Sequence, residues 1–192
     1  MPTAREALLD SAYTALAVRP WSAVRMVDVA AAAGVSRQTL YNEFSSKDGL
    51  ARALVRREAD GFLAGVDRVL ADRTGSDQDR LAGLAEWIVR AARGNPLVRA
   101  LVSGCWPERL PSGRAARGAL AAAGAAQRRA DGGAPGAGEL LAVVRDRAAA
   151  AVGERWPCET VVRLAVSWVV APPGDRRTVT VAEFVRAVAD AA

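Results

Sequence analysis

Residues 26–50 constrain the fold more strongly than any other stretch of this chain. Ahead of Gly34, apolar residues repeat at the spacing that gives a helix one buried face: Met26, Val29, Ala30 and Ala33. Gly34 can adopt a positive φ and so end that helix in a tight corner. Ser36 can then cap a second helix, because its hydroxyl accepts from the free N–H groups of the first turn. The pattern therefore predicts two short helices joined by a glycine corner.

The second of these helices is predicted to have one apolar and one polar side. Leu40 and Phe44 lie four residues apart and are expected to face inward. The side chains expected to project outward are Arg37, Gln38, Thr39, Asn42 and Glu43, with Tyr41 at the margin. A short helix, a corner and a second helix with a polar face form the helix-turn-helix that enters a DNA major groove. The alternative is a helical corner with no role in DNA binding.

The net charge of the chain does not by itself locate a DNA-binding surface. The formal charge is +5 and the isoelectric point about 10.2, a balance that suits an anionic partner. Residues 1–50, however, hold five basic and five acidic side chains, so the whole excess lies in residues 51–192. A DNA-binding domain in residues 1–50 must therefore use a few well-placed cations.

Residues that support catalysis or metal binding are scarce in this sequence. Histidine, the commonest general base and metal ligand, is absent. Cys105 and Cys158 are too few for a disulfide framework and fit no metal motif. We predict no metal, no cofactor and no catalytic residue, and an enzyme is the least favoured class. No signal sequence is visible, and the longest apolar stretch, residues 161–173, is too short to span a bilayer. The expected class is a soluble cytoplasmic protein without a membrane partner.

The remaining patterns are helical, and together they predict an all-α fold. Thr3 and Glu6 form a capping box for a helix from Ala4 to about Val18. Ser46 is expected to cap a long helix that runs to about residue 72. Further helices are predicted near 76–94, 97–103, 114–130, 139–155 and 159–171, with a flexible break at 131–138, and a last helix is predicted to begin at Thr180 and to include Val188. Residues 178–181 have a short strand as their alternative.

Residues 4–50 resemble the amino-terminal domain of TetR-family transcriptional regulators, and the match runs without a gap. The matching positions are Ala12, Arg19, Trp21, Ala23, Val24, Asp28, Val29, Ala30, Ala33, Gly34, Val35, Ser36, Thr39, Leu40, Tyr41, Phe44, Ser46, Lys47, Asp48 and Leu50. Beyond residue 50 the helical pattern is compatible with the family's second domain. The resemblance implies a three-helix DNA-binding domain in residues 1–50 and a helical ligand-binding and dimerisation domain in residues 51–192.

The resemblance also implies roles for single residues in binding double-stranded operator DNA. The predicted DNA-binding residues are Arg25, Ser36, Arg37, Gln38, Thr39, Tyr41, Asn42 and Lys47. Arg37, Gln38 and Thr39 would face base edges, where arginine suits guanine and glutamine suits adenine. Tyr41 and Lys47 would hold phosphates. Arg25 stands where the family commonly has Thr or Ser, and it is interpreted as either a phosphate contact or a solvated arginine.

A ligand site and a dimer interface are predicted in residues 51–192. The residues predicted to line a pocket for a small apolar or aromatic molecule are Leu84, Trp87, Cys105, Trp106 and Val144; plain core packing is the alternative, and the favoured one for Trp87. The helix at 159–171 is apolar on most sides and must be covered. The predicted interface residues are Val162, Val166, Trp168, Val169, Phe184 and Val188, with an internal core helix as the alternative.

These features predict a homodimeric, ligand-responsive transcriptional regulator. In this hypothesis it represses by binding a palindromic operator, and a small-molecule effector releases it. One rival is a helical interaction module that has lost DNA binding, which the neutral charge of residues 1–50 and the acidic Glu43 favour. The other rival, a small helical enzyme, has no recognisable catalytic group to support it.

Overall fold

The computed structural model describes residues 3–111, 137–153, 157–172 and 180–190. Within these ranges every regular element is helical, so the all-α prediction is confirmed. The α-helices are α1 (Ala4–Val18), α2 (Met26–Ala32), α3 (Arg37–Phe44), α4 (Lys47–Ala71), α5 (Asp77–Gly94), α6 (Pro96–Ser103), α7 (Ala137–Val152), α8 (Cys158–Val170) and α9 (Val181–Asp190). A 3-10 turn, Trp21–Ala23, follows α1. The helix predicted at 114–130 and nearly all of the break at 131–138 lie outside the described residues.

Local capping explains where several helices begin. The Thr3 hydroxyl accepts from the Glu6 amide at 3.2 Å, and the Glu6 carboxylate accepts from the Thr3 amide at 2.7 Å, so the predicted capping box is present. Ser76 and Asp79 form the same reciprocal pair at the start of α5. At the other end of a helix, Gly153 has φ +89° directly after α7. Because glycine adopts this conformation without a steric penalty, Gly153 allows α7 to end at Val152, three residues before the predicted end at residue 155.

Among the described residues, 3–58 and 106–111 belong to one compact unit. Its core is built from fully buried side chains on α1, α3 and α4, such as Leu8, Leu40 and Leu54. Trp21 is also buried, and its amide donates to the carbonyl of Arg109 at 2.8 Å. The segment 106–111 thus pairs with the turn after α1, a contact that lies far apart in sequence and that no local pattern predicts.

The second compact unit contains described residues 59–105 and 137–190. Helix α5 packs against α6, α7, α8 and α9, and it contributes Leu81, Leu84 and Ile88 to the fully buried core. The two units divide within α4, between residues 58 and 59. A functional boundary at residues 50 and 51 stays a prediction. No described helix is long and apolar enough to cross a membrane.

Candidate nucleic-acid interface

The glycine corner between α2 and α3 has the predicted geometry. Gly34 has φ +68°, and the next amide, that of Val35, donates to the carbonyl of Ala30 at 3.1 Å. Ser36 then caps α3, since its hydroxyl accepts from the Thr39 amide at 3.0 Å. Helices α1, α2 and α3 all pack against one another. The chain therefore builds a three-helix helix-turn-helix unit at the place where its sequence pattern predicts one.

Helix α3 is held from one side and open on the other. Leu40 and Phe44 are 1% and 5% exposed, and they fix the inner side of the helix. The exposed side chains of α3 include Arg37, Gln38, Tyr41, Asn42 and Glu43, whereas Thr39 is half-buried. On the outer side, the Gln38 amide nitrogen donates to the Asn42 side-chain oxygen at 2.9 Å. This bond fixes one edge of a side chain that would otherwise rotate freely.

Arg19, directly after α1, and Arg25, directly before α2, share the carboxylate of Asp28. Arg25 donates to Asp28 through both Nε and Nη2, each at 2.9 Å, while Arg19 lies 3.3 Å from the same carboxylate. The Arg25 hydrogen bonds lower the pKa of Asp28, and Asp28 in turn raises the pKa of Arg25. Arg25 remains largely exposed, with 73% of its side chain accessible. Its guanidinium is thus held in one orientation while its outer edge faces solvent.

Lys47, the first residue of α4, is directed toward its own unit. Its ammonium donates to the carbonyl of Ser22 at 3.0 Å and lies 5.6 Å from the centroid of the Trp21 ring. Partial burial of the side chain lowers the pKa of Lys47. These contacts connect the 3-10 turn to the start of α4. A phosphate contact by Lys47 stays a prediction, and it requires the ammonium to share or exchange its present partners.

Arg5 of α1 contacts the end of α3 in three ways. Its Nη1 lies 3.3 Å from the Glu43 carboxylate and 3.3 Å from the Glu43 carbonyl oxygen, and its guanidinium lies 4.7 Å from the Phe44 ring centroid. By contrast, Arg37 has no hydrogen-bond or ion-pair partner within the described part of the chain. The sequence pattern did not indicate the Arg5 contact, because its partners lie 38 residues away.

Gly49 is a further residue of this unit that sequence reasoning passed over. A Cβ atom added at Gly49 would come closer than 3.0 Å to the Phe44 carbonyl oxygen. The chain turns sharply there, since Ser45 has φ +59° and the Ser46 amide donates to the Phe44 carbonyl at 2.6 Å. Only glycine allows the first turn of α4 to approach the end of α3 so closely. A glycine three residues after a serine cap is the signal that would have identified it.

The predicted ligand-binding residues fall in several environments. Leu84 and Val144 are fully buried, Trp106 is half-buried and Cys105 is exposed. Trp87 packs against α4 at Gly65, and its Nε1 donates to the Phe62 carbonyl at 3.2 Å. A surface cavity of about 340 Å³ in the same unit has other lining residues: Arg68, Val69, Asp72, Thr74, Gly75, Asp79, Arg80 and Gly83. The role of the predicted residues in ligand binding stays a prediction.

The predicted interface residues divide into buried and accessible groups. Val162 and Val169 are 1% and 5% exposed within the single chain, so they offer little surface to a partner. Val166, Trp168 and Val188 are half-buried, and Phe184 is 41% exposed. The rings of Trp168 and Phe184 lie 5.6 Å apart, between α8 and α9. Val170, at the end of α8, is 55% exposed and is a further accessible apolar residue outside the predicted set.

The packing of α1 to α3 and the helical second unit define a helix-turn-helix protein. Residues 8–54 match the family described as bacterial regulatory proteins, tetR family. The predicted resemblance to the TetR family is therefore confirmed over residues 8–54. The match extends four residues past the predicted end of the resemblance, into the first turns of α4.

A curated relative and two solved structures resemble the chain. It is 40% identical over 101 residues to the HTH-type transcriptional regulator AlkX of Mycobacterium tuberculosis; the match covers 52% of this chain and 47% of that protein. The TetR family repressor AlkX of Dietzia sp., implicated in biodegradation of n-alkanes, aligns with a TM-score of 0.53 at 24% identity, covering 96% of this chain and 93% of that one. A TetR-family regulator from Streptomyces coelicolor gives 0.53 at 19% identity, covering 98% and 79%. These two structures support the fold.

Proposed function

We propose that the protein is a transcriptional regulator that binds operator DNA as a homodimer, acts as a repressor and is released by a small molecule. The observation that carries the proposal is the solvent-facing polar side of α3, which Leu40 and Phe44 hold in place and Ser36 caps. This is the geometry with which a recognition helix enters a major groove. The family and the name of the M. tuberculosis relative support the same function.

The exposed side chains of α3 suggest how bases are read. Arg37, at the helix start, has a guanidinium without a partner among the residues that the structure describes, and this guanidinium suits a bidentate contact to guanine. The bond from Gln38 to Asn42 leaves the Gln38 carbonyl oxygen and its second N–H free. In the major groove adenine presents an acceptor, N7, and a donor, the N6 amino group. The free donor and acceptor of Gln38 can pair with these two groups. In this proposal Tyr41 and the outer edge of Arg25 contact phosphates.

The first test is selection of a binding sequence from random duplex DNA by the full-length protein, followed by affinity measurements at moderate salt. We expect Arg37→Ala to cost about 1–3 kcal/mol of discrimination at one base position in each half-site. Arg99→Ala removes an exposed arginine from the second unit and is the matched control, which should bind like the wild type. If the wild type binds no selected sequence more tightly than bulk DNA, the regulator hypothesis is wrong, and the alternative of a helical interaction module is favoured.

The dimer proposal rests on the accessible apolar surface of α8 and α9, because a twofold protein matches a palindromic site. We expect sedimentation of the full chain to give a dimer and Phe184→Glu to shift it toward monomer. Val18→Glu introduces the same charge at an apolar residue of α1 that is 77% exposed, and it should leave the dimer intact. A monomeric wild type at micromolar concentration would contradict this part of the proposal.

An apolar effector is the proposed ligand, because Leu84, Trp87 and Val144 are apolar and the Dietzia repressor is implicated in n-alkane biodegradation. Leu84 and Val144 are fully buried, so binding there requires a conformer with a wider gap between α5 and α7. A ligand that prefers this conformer by about 1–3 kcal/mol would change DNA occupancy 5–150-fold. The test is release of the selected duplex by decane, compared with vehicle; unchanged binding at saturation would refute an alkane effector.

A further inference from the structure

We propose that Arg5 is a positioning residue for the recognition helix α3. It acts by holding the Glu43 carboxylate away from the DNA phosphates. This inference rests on the proposed DNA-binding function and adds a specific electrostatic role for a residue of α1. No part of Arg5 needs to touch DNA for this role.

The geometry places three contacts on the last two residues of α3. Arg5 Nη1 reaches both the Glu43 carboxylate and the Glu43 carbonyl oxygen at 3.3 Å, and its guanidinium lies 4.7 Å from the centre of the Phe44 ring. Phe44 is buried, so the ring gives the guanidinium a fixed platform. One side chain therefore holds a backbone group, a carboxylate and an aromatic face at the same helix end.

The end of α3 is a place where such a cation has a large effect. Helix α3 has eight residues, and the carbonyl groups of its last turn lack partners within the helix. The negative end of the helix dipole also favours a cation there. A helix this short does not persist in water on its own, so its position depends on tertiary contacts. Arg5 supplies one of these contacts from α1.

The carboxylate of Glu43 is a liability for a protein that binds DNA. Glu43 follows Asn42 by one residue and so lies about 100° around the helix from that outward side chain. An unpaired acid on this flank would repel phosphates, and residues 1–50 have no net positive charge with which to offset it. The Arg5 contact both neutralises the acid and directs it toward α1.

The experiment compares four full-length proteins: the wild type, Arg5→Ala, Glu43→Gln and the double variant. Each is titrated onto the duplex selected by the wild type and onto a random duplex of equal length, over a range of salt concentrations. We expect Arg5→Ala to weaken binding to both duplexes by about three- to tenfold at low salt, and less at high salt. We expect the double variant to return to within about twofold of the wild type, because removing the acid removes the need for Arg5.

The rescue separates this role from the alternatives. If the double variant binds as weakly as Arg5→Ala, then Arg5 contacts DNA itself or only supports the fold, and the proposal is wrong. If Arg5→Ala binds like the wild type, the proposal is also wrong. Arg57→Ala is the matched control, because it removes a cation that pairs with an acid of α1, Asp10, in the same unit. No rescue is expected in this pair. Replacing Asp10 by Asn should leave the Arg57→Ala affinity unchanged.

Two further arms keep the result interpretable. Arg5→Gln retains a donor for the Glu43 carbonyl without the charge, so it should fold like the wild type and still be rescued by Glu43→Gln. Circular dichroism of every variant confirms that binding is compared between folded proteins. Because phosphate repulsion does not depend on sequence, the random duplex tests Arg5 even if no operator is selected. In that outcome the regulator proposal fails while the role of Arg5 is still decided.

Discussion

Two glycines of α4 should respond in opposite ways to the same substitution. Gly61 and Gly65 lie four residues apart in the helix interior, within the second unit. A Cβ atom added at Gly61 meets nothing within 4 Å, whereas one added at Gly65 comes closer than 3.0 Å to three atoms of the Trp87 indole. We expect Gly61→Ala to stabilise the protein and Gly65→Ala to destabilise it.

The magnitudes follow from the contacts at each position. Replacing a helix-interior glycine with alanine gains about 0.5–1 kcal/mol when the new methyl group has space. At Gly65 that gain is opposed by about 1–3 kcal/mol for displacing a packed ring. Moving the ring also weakens the bond from Trp87 Nε1 to the Phe62 carbonyl, which adds about 0.5–1.5 kcal/mol. The net loss at Gly65 is therefore about 0.5–4 kcal/mol.

Thermal and urea unfolding, followed by circular dichroism, measures both changes. For a chain of this size 1 kcal/mol corresponds to about 2–4 °C in the midpoint, so the two variants should differ by several degrees. In a Trp87→Leu background the indole is gone, and Gly65→Ala should then behave as Gly61→Ala does. Equal midpoint shifts for the two single variants, or no change of sign in the Trp87→Leu background, would refute the described packing.

Three other predictions concern charge and capping. Asp28→Asn should destabilise the protein above pH 3.8, the ordinary pKa of the carboxyl. Because Arg25 lowers the pKa of Asp28 in the folded protein, the stability advantage of the wild type is lost as the pH falls through that lowered pKa. Urea unfolding midpoints measured across pH would show this loss. Asn95→Ala removes a side chain that accepts from the first free amides of α6, and should cost about 0.5–2 kcal/mol in the same unfolding assay. Arg37 and the outer edge of Arg25 give about two cations per subunit that can displace counterions from DNA. The plot of log K against log[salt] should therefore have a slope of about −4 for a dimer, and a slope steeper than about −8 would contradict the count.

Sequence reasoning located the helices where local chemistry determines them. The capping box at Thr3, the corner at Gly34 and the cap at Ser36 depend on residues at most a few positions apart, and all three are present. Helix α7 ends at Val152, three residues before the predicted end at residue 155, and Gly153 follows it with a positive φ. Local signals give the starts of helices more securely than their ends when a glycine interrupts the pattern.

The contacts of the candidate site were less predictable than its outline. The polar face of α3 follows from its spacing, but the partners of Arg5 and Lys47 are set by tertiary packing. The resemblance implied a phosphate contact for Lys47, whereas in the folded chain its ammonium donates to the Ser22 carbonyl. Likewise Trp87 was open to a pocket or a core interpretation, and its contact with Gly65 is one that only the packing of α4 on α5 reveals.

The neutral charge of residues 1–50 becomes meaningful once the partner of each cation is known. Four of the five cations contact groups of their own unit: Arg5, Arg19, Arg25 and Lys47. Only Arg37 has no partner within the described residues. Such a surface gains little from counterion release, so its non-specific affinity should be low. Discrimination then depends on the base-facing groups of α3, Arg37 and the Gln38–Asn42 pair, and weak non-specific binding would reduce competition from bulk DNA.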